Sequence, residues 1–112
     1  MAIQRSILVP TDFSKNALIA ASYALGFARQ AGYKIHFIHA FQPFKSAFQT
    51  REDNDKEKEE ARLDAEERME KFRKKLGDTG EVTATFGLSQ GHLVPCMEEL
   101  IREEPVAFIV MG

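Results

Sequence analysis

The chain has 112 residues, a formal net charge of −2 and an isoelectric point near 5.9. It therefore holds material for one domain and one core, and lacks the basic excess that marks a nucleic-acid footprint. No apolar stretch approaches the roughly 18 residues of a membrane span, and MAIQRSILVP is too short for a secretory signal. Its one cysteine, Cys96, excludes an intrachain disulfide and a cysteine metal cluster, which fits a reducing compartment, so the expected location is cytoplasmic.

Ile7, Leu8 and Val9 are continuously apolar, the pattern of a strand covered on both faces, and the first strand is placed at Ile3 to Val9. It ends in Pro10-Thr11-Asp12. Ser14 then suits an N-cap for a helix over Lys15 to Ala31, where Leu18, Ala21, Leu25 and Ala28 recur at spacings of three and four before Gly32. Lys34 to Phe41, KIHFIHAF, reads as a second strand, and strand-helix-strand predicts a right-handed crossover and a parallel pair. Residues 42–50 have no period and read as a loop, whose Phe44 and Phe48 either cover a site, dock a partner or pack on the next helix.

Arg51 to Lys75 is dense in both charge signs, yet Ala61, Ala65, Met69, Phe72 and Leu76 form one helical stripe, with Leu63 off it. The turns before Ala61 have no apolar face, so the ordered helix is expected to begin nearer Lys56. The charges read as a solvated face with pairs such as Glu67 and Lys71, about 0.2–0.5 kcal/mol each. After a turn at Gly77 to Gly80, alternation at Val82, Ala84 and Phe86 places a third strand, near a sheet edge, over Glu81 to Leu88. Leu93, Met97, Leu100 and Ile101 form the face of a third helix, with Pro95 tolerated in its first turn and Pro105 ending it. Val106 to Met111 is apolar throughout and is expected to be a fourth strand buried on both faces.

These elements give an α/β fold on an open, mainly parallel sheet. If the fourth strand lies on the far side of the first, the order is 3-2-1-4, and the loops after strands 1 and 4 flank a topological switch point. A flavodoxin-like order remains open at this stage. Asp12 sits at that point. Its carboxylate either caps the following helix, or accepts hydrogen bonds from a ribose hydroxyl or exocyclic amine, and it would repel a phosphate placed against it. His36 and His39 are an odd number of residues apart on a strand and cannot share a metal; His39 reads as a hydrogen-bonded core histidine and His92 as exposed. Cys96 has no histidine placed near it by sequence. No phosphate-loop, dinucleotide or hydrolase signature is present and no acid, base and nucleophile converge, so neither a metal nor an enzymatic activity is expected.

With ILVPTDFS and its alanine-rich helix, the second strand ending IHAF, the segment EVTATFGLSQG and the closing FIVMG, the chain resembles the universal stress protein family along essentially its whole length. The resemblance implies a Rossmann-like (adenine nucleotide alpha hydrolase-like) three-layer sandwich over residues 1–112, and a stress-response regulatory role. Nucleotide-binding members hold the adenosine end at positions that correspond here to Pro10, Thr11, Asp12, Ala40, Met111 and Gly112. Ala40 replaces a typical valine, a minor change for a backbone contact. ATP-binding members continue with a G-x2-G-x9-G-[S/T] phosphate loop, another helix and a fifth strand that commonly pairs across a dimer.

The resemblance thus implies a domain truncated at its C-terminus, from a parent of one domain or two in tandem, with ATP or AMP as the parent's ligand. For the 112 residues themselves weak or no nucleotide binding is expected. Three missing donors at roughly 1.5–3 kcal/mol each remove about 5–9 kcal/mol, against the ~8 kcal/mol of a micromolar site. The alternative function is a dimerisation or interaction module without nucleotide, the expected partner being a second copy at the Val106 to Met111 edge. An ATP pyrophosphatase of related fold is more distant, because no phosphate loop follows strand 1.

Overall fold

The computed structural model describes residues 5–41, 51–103 and 105–111. Among these the order is β1 (Ser6–Pro10), α1 (Lys15–Ala31), β2 (Lys34–Phe41), α2 (Arg51–Leu76), β3 (Ala84–Gln90), α3 (Leu93–Glu103) and β4 (Val106–Ile109). The strands form one parallel sheet in the order β3-β2-β1-β4. This is the 3-2-1-4 arrangement, and it excludes the flavodoxin-like order.

Local chemistry sets α1. The Ser14 hydroxyl accepts the Ala17 N–H at 3.1 Å at one end. Gly32 closes the other with φ of 77°, a left-handed cap open to glycine at little cost, its N–H donating to the Ala28 carbonyl at 2.9 Å. The buried positions Ala17, Ala21, Ala24, Leu25 and Ala28 lie along one stripe, and the alanines let the helix approach the sheet closely. Ile7 and Val9 of β1 and Ile35 and Phe37 of β2 meet that stripe, and Met69 and Phe72 of α2 complete the cluster. Each large side chain buried there contributes about 1.5–3 kcal/mol. Phe37 stacks on Phe86 of β3 at 4.9 Å and meets Phe72 edge-on at 5.8 Å.

The other face carries the alternate residues. Leu8 and Ile38 are buried there, but α3 contributes no buried residue. This overturns the expectation that the fourth strand is buried on both faces: Phe108 is 47% exposed and Ile109 42% exposed. Among the described residues β4 pairs with β1 alone, with a register shift between Ser6 and Ile7, and the Phe108 ring meets those of Phe27 on α1 and of Tyr33 in the turn before β2. Continuous apolarity reported a strand correctly and its cover incorrectly, because cover depends on what packs above it.

Boundaries shift as well. The first strand runs through Pro10, which pairs with Ile38, and the expected start at Ile3 lies outside the described residues. The third strand is Ala84–Gln90 rather than Glu81 to Leu88, because it pairs along β2 from Ile35 to Phe41. The second helix begins at Arg51, not nearer Lys56. Its Glu, Lys and Arg are good helix formers that extend the helix without an apolar face. Pro95 does fall in the first turn of α3. Phe44 and Phe48 lie outside the described residues. Among the described residues no helix is long and apolar enough to cross a membrane.

Candidate functional site

At the carboxyl end of β1 the chain makes a turn held by hydrogen bonds from backbone and side chains alike. Thr11, 6% exposed, is held at three atoms. Its N–H donates to the Ile38 carbonyl at 2.8 Å, its carbonyl accepts from His39 Nδ1 at 2.7 Å, and its hydroxyl oxygen accepts the Phe13 N–H at 3.0 Å. A carbonyl only accepts, so His39 Nδ1 carries the proton in this bond. Asp12 Oδ1 accepts the Ser14 N–H at 2.9 Å. The Ser14 hydroxyl first, and its backbone N–H second, hold the exposed Asp12 carboxyl below its ordinary value. Asp12 is thus a firm anion at neutral pH; Ser14 is the N-cap of α1, and Asp12 braces that cap residue through its N–H.

Phe13 sits in this turn at φ of 66°, a left-handed conformation that costs a non-glycine residue on the order of 1–3 kcal/mol. Packing offsets it. The Phe13 ring lies 4.3 Å from the His39 ring and 5.9 Å from that of Phe72, which ties the tip of β1 to the aromatic row in the core.

A cavity of about 240 Å³ opens over the strand tips. Pro10, Thr11, Asp12, Ala40 and Met111, the positions implied by the family resemblance, all line it, whereas Gly112 lies outside the described residues. Ala17, His39 and Leu93 complete the lining. Sequence reasoning took His39 for a core histidine; it is half-buried, hydrogen-bonded and at the cavity wall. Its place one residue before Ala40 was the available signal. Phe13 had none, since nothing in TDFS announces a left-handed aromatic. His36 meets Thr85 of β3, away from this cavity, and His92 is exposed. Cys96 is half-exposed on α3, and no group of three or more metal-ligating side chains occurs among the described residues.

A larger cavity, about 510 Å³, lies on the other side of Asp12, between α1 and α2. It is walled by Lys15 and Leu18 on one helix and Arg68, Lys71, Phe72 and Lys75 on the other. The sequence stripe on α2 gave Phe72 as core but did not show that its neighbours border a groove.

Comparison with known proteins gives a consistent family. Residues 4–112 match the model of the universal stress protein family. Comparison with curated proteins returns no significant match. Among solved structures, universal stress protein UspA from Lactobacillus plantarum superposes with a TM-score of 0.75 at 22% identity, covering 100% of this chain and 79% of that one. A universal stress protein family member from Burkholderia pseudomallei gives 0.64 at 23% identity, covering 100% and 83%. A universal stress protein in complex with cAMP gives 0.65 at 20% identity, covering 97% and 76%. At these identities the superpositions establish the fold.

Proposed function

The chain belongs to the universal stress protein family, and from that premise we propose that it is a stress-response regulatory protein whose strand tips form the nucleoside half of an adenine-nucleotide site. The observation that carries this reading is convergence: Pro10, Thr11 and Asp12 after β1, Ala40 on β2 and Met111 after β4 line a single cavity. Its volume of about 240 Å³ lies just under the roughly 300–1,000 Å³ of small-molecule sites. Asp12 acts as acceptor for a ribose hydroxyl or exocyclic amine, and its charge turns phosphates away. The His39 ring adds a second polar side chain to the wall. The solved relative in complex with cAMP supports an adenine ligand.

Residues 1–112 contain no G-x2-G-x9-G-[S/T] sequence, so binding by this chain is weak and indifferent to phosphate number. The site binds rather than catalyses, and the protein works in the cytoplasm. Calorimetric titration of the 112-residue chain with ATP and AMP tests this. Both should bind alike and more weakly than micromolar; micromolar affinity for ATP with much weaker AMP binding would refute it.

A second reading, a dimerising module, is favoured by the edge of β4, where Phe108, Ile109 and Met111 are 47%, 42% and 62% exposed. Such an apolar edge templates strand addition by a second copy. Sedimentation at high micromolar concentration should show dimers that Ile109→Lys abolishes. A strictly monomeric parent chain would remove this reading.

A further inference from the structure

The groove between α1 and α2 is the larger of the two cavities that Asp12 borders, and the nucleoside reading leaves it unused. Its floor is apolar, built by Phe13, Leu18 and Phe72, and its rim is cationic, with Lys15, Lys71 and Lys75 among the lining residues. The rim follows from sequence spacing, because positions 68, 71, 72 and 75 recur every three or four residues along α2 and so share one face.

Charge decides what class of ligand fits. Arg68 is paired with Asp64 at 3.1 Å and Lys71 with Glu67 at 3.2 Å, all on exposed side chains. Such i,i+4 pairs are weak and exchangeable. Lys15 and Lys75 have no ion-pair or hydrogen-bond partner among the described residues. Counting Asp12, which also borders the groove, four cations face three carboxylates, leaving one net positive charge. A phosphate dianion would overrun that excess and meet the Asp12 carboxylate. A monoanion matches it. The volume of about 510 Å³ lies within the range of small-molecule sites, and the aromatic and aliphatic floor calls for an apolar body rather than a sugar.

We infer that this groove is a second ligand site, for a small organic monoanion with an apolar body such as an aryl or medium-chain carboxylate. Its acid group is taken by Lys15 and Lys75 and its hydrocarbon lies on Phe13, Leu18 and Phe72. The site is independent of the nucleoside reading, although Asp12 borders both cavities.

The test uses 2-naphthoate as probe on the isotope-labelled 112-residue chain. Saturable shifts should appear at the amides of Lys15, Leu18, Lys71 and Phe72. The double variant K15Q/K75Q should keep the native amide spectrum and bind about tenfold more weakly or worse, and neutral 2-naphthalenemethanol should bind the parent chain with a similar deficit. Shifts confined to Ala40, Leu93 and Met111, no saturable shift at millimolar probe, or an unchanged affinity in the double variant would overturn the inference. Adenosine reports at Ala40 and Met111 instead, so failure of one site is not mistaken for failure of the other.

Discussion

The two faces of the sheet are built from the same kinds of residue and end up in different states. On the α1/α2 face, Ile7, Val9, Ile35 and Phe37 are sealed under two helices, and Met69 and Phe72 close the layer. On the α3 face, Leu8 and Ile38 are buried, but the helix above them contributes no buried side chain, and Ile101 and Ile109 remain 45% and 42% exposed. The larger share of the buried apolar side chains therefore lies on one face. The other carries a helix with no buried side chain and borders an open strand edge. In a small domain this separation has a physical logic, because elements that bind must give up contacts that would otherwise hold the fold.

The sharpest way to break the comparison is a pair of truncations. Phe37→Ala, in the sealed layer, should cost about 3–5 kcal/mol in urea unfolding, whereas Ile101→Ala should cost less than about 1 kcal/mol because much of its side chain is already in water. Equal costs would mean that α3 is packed as tightly as α1. Next in size is the junction between the faces. Ser14→Ala removes the acceptor for the Ala17 N–H and should lower stability by about 0.5–2 kcal/mol, read from the same unfolding curves.

The smallest effect concerns Asp12. Its carboxyl is held below its ordinary value by Ser14, so its contribution is present above the unfolded-state value and is lost as pH falls through the folded one. Asp12→Asn should show a slight deficit at neutral pH that fades in acid, because the group is exposed and screened. A deficit that grew as pH fell would reverse that sign.

How far the sequence carried these points depends on the range of the interactions involved. Helix α1 is readable to its ends because Ser14 and Gly32 cap it locally. The strand order was narrowed by chain order and crossover handedness, and was then fixed by pairing. The site positions Pro10, Thr11, Asp12, Ala40 and Met111 were named through a family resemblance, and the structure gathers them around one cavity. What stayed hidden was tertiary. The cover over Phe108 of β4 comes from Phe27 and Tyr33, more than 70 residues earlier in the chain. The left-handed Phe13 depends on rings from β2 and α2. The start of α2 at Arg51 was missed for a different reason: an apolar stripe locates where a helix packs, and charged residues extend it past that point.

The most direct measurement is an amide chemical-shift titration of the 112-residue chain with adenosine, which has no phosphate to confuse the outcome. A nucleoside half-site predicts saturable shifts concentrated at Thr11, Asp12, Ala40 and Met111, with the α1/α2 core unmoved and binding weakened in Asp12→Asn. Shifts scattered over the surface, or none at all, would contradict it.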